Sequence, residues 1–131
     1  RWNGASNVDI RGLETSLTLR DALDSWNVNT KDWLRFVCYS RIAFMPTLMT
    51  YMLSALWHGF YPGYYITFAS GALMTIAART VRRSIRRHFL TSKAMKRGYD
   101  VLTCLTTRVI LAYITFPFLL LELGASHRVY L

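Results

Sequence analysis

The 131-residue sequence predicts an all-α fold, a multi-pass transmembrane helical bundle of which this chain is a fragment. Three observations predict it. Hydrophobic residues make up 53% of the chain and charged residues 18%, and the two kinds are gathered into separate blocks rather than alternating as on a water-exposed surface. Residues 42–78 are 37 consecutive positions without Asp, Glu, Lys or Arg. A basic run comes directly after them, in a chain of net charge +9. Apolar content of this kind excludes intrinsic disorder. Arg1 at one end, and Leu131 just after an apolar run at the other, predict a piece of a longer chain. No apolar segment with a small-residue cleavage site opens it, so internal segments are expected to direct it to the membrane.

Residues 1–12 read as a loop. In residues 18–41, Thr18 with Asp21 makes an imperfect capping box, and Leu19, Leu23 and Trp26 come after it at helical spacing, which predicts a short amphipathic helix. Asn27, Asn29 and Thr30 then interrupt the pattern before Trp33, Leu34, Val37 and Cys38. A polar, cap-like turn joining two interfacial or membrane-entering helices is the expectation, with Thr30 a candidate cap.

The uncharged block at 42–78 is too long for one straight crossing. As a continuous helix it would run about 56 Å at about 1.5 Å per residue, against a hydrocarbon thickness of about 30 Å. Two pieces fit better, residues 46–57 with those just before them and residues 64–78, joined through Gly59, Pro62 and Gly63. Broken helices persist at membrane depth only where protein or a water-filled cavity covers the loose backbone, so the join belongs inside a larger bundle.

Residues 79–100 form a basic segment. Arg79, Arg82, Arg83, Arg86 and Arg87 fall on one side of a helix and Val81, Ile85 and Phe89 on another, and Lys93, Lys96 and Arg97 extend the charge. The positive-inside tendency puts this interfacial segment on the cytosolic side. Nucleic acid is the competing reading of a basic helix, but the run continues directly from the uncharged block and no nucleic-acid module accompanies it. Residues 101–123 are a candidate transmembrane helix, most apolar over 109–121, with Pro117 as a tolerated kink, Arg108 snorkelling near its start and Glu122 at its far boundary. Cys38 and Cys104 stand far apart without neighbouring ligand types, which argues against a zinc site or a disulfide scaffold. No metal and no bound cofactor are expected.

His58 is the foremost candidate for chemistry. It is the only histidine in the uncharged block, it offers a base near neutral pH, and it sits among helix breakers and rings: Trp57, Gly59, Phe60, Tyr61, Pro62, Gly63, Tyr64 and Tyr65. A shaped cavity would explain that company, and so would a buried neutral imidazole bonded to a carbonyl. There is no nucleophile elbow to support a covalent hydrolase. Direct transfer needs only a base for an acceptor hydroxyl and a group such as the Asn27 amide to hold the acceptor or polarise an acyl carbonyl, although Asn27 alone is more often a turn or cap residue.

Two ordered motifs narrow these alternatives. Trp26-Asn27-Val28-Asn29-Thr30 precedes Trp33-Leu34-Arg35 and Tyr39-Ser40-Arg41, and further along stands Ser54-Ala55-Leu56-Trp57-His58-Gly59-Phe60-Tyr61-Pro62-Gly63-Tyr64-Tyr65. The pattern resembles the membrane-bound O-acyltransferase family, most closely its lysophospholipid acyltransferase branch, strongly over about residues 18–90. The resemblance implies that residues 1–131 are a fragment of such a domain and that His58 corresponds to the family histidine deep in a membrane tunnel. It pairs Asn27, rather than Asn29, with the catalytic asparagine. It further implies acyl-CoA as co-substrate and a lysophospholipid as acceptor. Lysophosphatidylethanolamine or lysophosphatidylserine is favoured, with lysophosphatidylcholine close behind. A multi-pass place in the endoplasmic reticulum membrane is implied as well. Trp57, Tyr61, Tyr64, Tyr65 and Asn29 are the candidates to line the substrate path, while protein partners are left unassigned. The fragment alone is expected to be inactive. Protein or sterol O-acylation within the same family, a transporter or channel segment and a non-catalytic scaffold are the alternatives.

Overall fold

In the computed structural model the described residues are 6–121, 124 and 128, and those that are folded are helical throughout. Six helices run in order: α1 (Ile10–Glu14), α2 (Leu19–Ser25), α3 (Val28–Leu34), α4 (Pro46–His58), α5 (Pro62–Phe89) and α6 (Lys93–Leu120). A single π-helical turn, Arg35–Tyr39, extends α3 and buries Cys38.

The helix α1 lies inside the stretch expected to be loop. Asp9 starts it by accepting from the Gly12 amide at 3.0 Å, and the Asp9 amide is itself held by the Ser25 carbonyl at 2.9 Å. Five residues are too few for periodicity to reveal, and so short a helix persists through such contacts rather than through propensity. Residues 1–5 of the expected loop lie outside the described residues.

Thr18 caps α2 as expected, its hydroxyl accepting from the Asp21 amide at 3.1 Å, and Leu19 and Ala22 are buried. The turn to α3 is tighter than the sequence suggests. It consists of Trp26 in extended conformation and Asn27 in the left-handed region at φ 56°, ψ 50°. Asn29 and Thr30 are already inside α3, so Thr30 does not cap a helix.

The three long helices form an up-down-up array. α4 and α5 meet through the Tyr51 hydroxyl, 2.8 Å from the Thr75 hydroxyl, and bury small residues, Ser54 and Ala55 on one helix and Gly71 and Ala72 on the other. α5 and α6 run antiparallel, with Gly63 against Leu121 at one end and the Phe89 and Tyr99 rings 5.3 Å apart at the other. Small residues at such contacts let helix backbones approach closely, the main source of helix association where lipid removes the hydrophobic drive.

The join between α4 and α5 falls where the helix punctuators placed it. Gly59 adopts φ 127°, open to glycine and strained for other residues, while Pro62 supplies the first residue of α5. Beyond Ala78 the structure departs from the sequence boundaries. α5 runs unbroken into the arginines, so the second apolar piece and the first half of the basic segment are one helix of 28 residues. Likewise α6 starts at Lys93, well before residue 101. Arginine and alanine are both strong helix formers, so a switch from apolar to charged residues does not itself end a helix.

Among the described residues, α6 is the one helix long and apolar enough to cross a membrane. Val101, Leu102, Leu105, Val109 and Leu119 on it are all exposed, an apolar face of the kind that lipid or further protein covers. Pro117 is fully buried inside the helix. The expected far boundary, Glu122, lies outside the described residues, as does Leu123. Arg108 has a partner that the sequence does not reveal, since its guanidinium donates to the Glu14 backbone carbonyl at the end of α1.

Candidate functional site

His58 is the last residue of α4, at the break itself. Its half-buried imidazole is flanked by rings from three helices. Phe68 of α5 stacks on it with centroids 5.1 Å apart and planes inclined by 24°. Tyr64 lies at 5.6 Å, Phe118 of α6 meets it edge-on at 5.4 Å, and the adjacent Trp57 is edge-on at 4.8 Å. The cage is itself connected, because Tyr64 and Phe118 are 4.9 Å apart and Phe68 and Phe118 6.4 Å. The i, i+4 spacing of Tyr64 and Phe68 puts both on the face of α5 that meets His58. Phe118 arrives because α6 folds back along α5.

None of these contacts is a hydrogen bond. Among the described residues, the two ring nitrogens of His58 have no protein partner, so neither is committed to a carbonyl or a carboxylate. This leaves the nitrogens able to meet a hydroxyl.

Of the other candidates, Tyr61 joins the cage at its edge, 6.0 Å from Tyr64 and perpendicular to it, while more than half exposed. Trp57 is similarly exposed. Tyr65 is half-buried on α5 and makes none of these ring contacts.

Asn27 is elsewhere. It lines a cavity of about 460 Å³ between α2, α3, the π turn, α4 and α5, together with Trp26, Tyr39, Tyr51, Ser54 and Phe68. No hydrogen bond joins Asn27 to His58. Their common neighbour is Phe68, which lines the Asn27 cavity and also stacks on the imidazole. The structure therefore brings Tyr64, Trp57 and, at the margin, Tyr61 to His58, and puts Asn27 on a cavity that Phe68 also lines.

Asn7 fixes the asparagine turn. Its side-chain amide donates to Asn27 Oδ1 at 2.5 Å, its own Oδ1 accepts from the Asn29 amide at 2.8 Å, and its backbone carbonyl accepts from the Val28 amide at 2.8 Å. With its oxygen so held, Asn27 keeps Nδ2 as a donor toward an acyl carbonyl or an acceptor oxygen. Asn29 does not line the cavity; its side chain reaches back to the Ser6 carbonyl at 3.4 Å.

Sequence reasoning missed Asn7, Phe68 and Phe118. The first two contact the site across 20 and 10 residues of sequence and the third across 60, and only Phe68 carried a local signal, its spacing from Tyr64. Among the described residues no three of His, Cys, Asp and Glu converge as metal ligands, and Cys38 and Cys104 are free thiols.

The fold thus places a histidine among aromatic rings at a helix break, an asparagine turn on a cavity that shares Phe68 with it, and one long apolar helix alongside. The family model of the membrane-bound O-acyltransferases matches residues 1–116, and the chain belongs to that family. Over 130 residues it is 48% identical to membrane-bound glycerophospholipid O-acyltransferase 2 of Gallus gallus, covering 99% of this chain and 25% of that protein. It is 49% identical over 132 residues to lysophospholipid acyltransferase 6 of Drosophila melanogaster, covering 100% of this chain and 18% of the relative. The lysophospholipid acyltransferase of Saccharomyces cerevisiae matches at 37% over 142 residues, covering 99% and 23%. The chain thus spans about a quarter or less of the length of these curated relatives.

Proposed function

We propose that the protein containing this chain is an acyl-CoA-dependent lysophospholipid acyltransferase, with His58 as its general base. The observation that carries this is the uncommitted imidazole of His58, held by Phe68, Tyr64 and Phe118 at a helix break, in a chain of the membrane-bound O-acyltransferase family.

In this mechanism His58 accepts the proton of the free glycerol hydroxyl of a lysophospholipid as the oxygen attacks the thioester carbonyl of acyl-CoA. The C–S bond breaks, the sulfur leaves as CoA thiolate and receives a proton, and a diacyl phospholipid is released. Asn27 donates from Nδ2 to the acyl carbonyl or to the acceptor, which stabilises the charge developing on oxygen. Tyr64 and Trp57 hold the imidazole and, with Tyr61 and Tyr65, border the acyl path; Asn29 acts through Asn7 on the asparagine turn. The acceptor is lysophosphatidylethanolamine or lysophosphatidylserine in preference to lysophosphatidylcholine. Residues outside this chain complete a multi-pass bundle in the endoplasmic reticulum membrane.

The test is acyl transfer by membranes containing the full-length protein, with labelled oleoyl-CoA and a panel of lysophospholipids. The His58→Ala variant is compared at equal abundance. Loss of a general base is expected to lower turnover by about 10²–10⁴-fold. Undiminished transfer by His58→Ala, or no diacyl product from the wild type with any lysophospholipid, overturns the assignment.

A further inference from the structure

Tyr51 precedes His58 on α4 by seven residues, which puts the two on one face of that helix. On α5, Phe68, Gly71 and Thr75 share a face at i, i+3 and i+7. The two faces meet at the tyrosine. Its ring is 6.4 Å from that of Phe68, centroid to centroid, with the planes inclined by 56°. Its edge lies over Gly71, and its hydroxyl is 2.8 Å from the Thr75 hydroxyl. Phe68 in turn stacks on His58 at 5.1 Å.

A simple contact between two helices does not need this arrangement. Leucine or phenylalanine fills such an interface without a hydroxyl that must find a partner when buried. Glycine inside a helix costs about 1 kcal/mol relative to alanine, yet a Cβ on Gly71 would stand 3.2 Å from Tyr51 Cε1, tighter than ordinary van der Waals contact. The hydroxyl pair and the missing side chain therefore act together to hold the Tyr51 ring at one position and angle. Of the rings that Phe68 meets, Phe118 also contacts the imidazole. Tyr51, among the described residues, reaches His58 only by way of Phe68.

We propose that Tyr51 is a positioning residue for His58: tied to Thr75 and seated on Gly71, it braces Phe68, and Phe68 braces the imidazole. The inference rests on the reading of His58 as general base. A base transfers a proton well only when its ring nitrogen meets the acceptor hydroxyl at the right distance and angle, and His58 has no hydrogen bond among the described residues to fix its ring. Aromatic packing has to supply that orientation. Tyr51 also lines the Asn27 cavity, so direct contact with substrate is the competing role.

The experiment uses the full-length protein in membranes and reads two quantities. One is the rate at which diethyl pyrocarbonate modifies His58, followed by mass spectrometry of the peptide that contains it. The other is acyl transfer, resolved into kcat and the KM for acyl-CoA. Wild type is compared with Tyr51→Leu, Thr75→Val, Phe68→Ala and Tyr51→Leu/Phe68→Ala. Tyr51→Leu is expected to raise the modification rate and lower kcat, each by about tenfold, with KM changed less than about twofold; in the Phe68→Ala background it adds nothing, because residues acting through one contact are not additive. Thr75→Val keeps the side-chain shape and serves if Tyr51→Leu impairs folding; it is expected to move both quantities the same way by about threefold. Unchanged His58 modification in both variants overturns the proposal. So do equal effects of Tyr51→Leu with and without Phe68, the outcome expected of direct substrate contact or of a general loss of stability. The modification rates need no turnover, so a wild type that transfers nothing to any lysophospholipid overturns the acyltransferase reading and leaves this test standing.

Discussion

The phenyl ring of Phe68 lies against the imidazole of His58, centroids 5.1 Å apart, while the same ring walls the cavity that contains Asn27. One side chain thus touches the candidate base and lines the cavity of the candidate polarising group.

Removing that ring is expected to act on turnover. Phe68→Ala in the full-length protein frees the imidazole to rotate, and misplacement by about 1 Å is enough to lose about a hundredfold in rate. Phe68→Tyr keeps the ring and most of the activity. Steady-state kinetics in membranes separate kcat, which falls, from the KM for acyl-CoA, which moves less. An unchanged kcat in Phe68→Ala rules out positioning by this ring.

Asn27 needs two substitutions, because its backbone is in the left-handed region at φ 56°. Asn27→Gly removes the carboxamide and keeps the conformation accessible, whereas Asn27→Ala adds a strain of about 1–2 kcal/mol. Both are expected to lose transfer activity, and only the alanine variant to unfold at lower temperature. If the glycine variant stays fully active, the amide has no part in the chemistry.

Asn7 is expected to be a positioning residue. Asn7→Ala removes the side-chain bonds to Asn27 and Asn29 that support the 27–29 turn, and Asn7→Asp restores one acceptor. Activity should fall in the alanine variant and recover in part in the aspartate variant. Equal activity in all three proteins would show that the turn holds without Asn7.

Gly63 is expected to tolerate no side chain. A Cβ there would overlap the Pro117 carbonyl oxygen and stand 2.7 Å from Leu121 Cα. Both are backbone atoms that cannot turn aside. Gly63→Ala should cost about 1–3 kcal/mol, read as a lower thermal midpoint in detergent. By contrast Gly98→Ala, with nothing within 4 Å of the new methyl, should leave the midpoint unchanged or raised.

The helix break is legible in the sequence because glycine and proline act locally. Gly59 and Pro62 stand where the backbone turns, so local residue chemistry alone puts His58 at a helix end. The aromatic cage is legible only in its nearby members, Trp57 and Tyr64. Phe118 enters through the antiparallel return of α6, and Asn7 through a tertiary hydrogen bond, and neither leaves a mark in local spacing. The continuity of α5 past Ala78 is hidden for a different reason. Charge pattern reports what a face meets, whereas helix propensity reports whether the backbone continues, and at Arg79 only the first changes.

The α5–α6 hairpin has its two ends fixed by different means. At one, the Gly63 amide donates to the Leu121 carbonyl at 3.1 Å, and backbone lies on backbone; at the other, residues 90–92 turn the chain. An extra residue within either helix would advance the remainder of that helix by about 1.5 Å and rotate it by about 100°, taking Phe68 or Phe118 off the imidazole. Tolerance to insertion and deletion is therefore unevenly distributed along this stretch: the 90–92 turn can absorb a change of length, and the helical segments between Gly63 and Phe68 and between Tyr99 and Phe118 cannot.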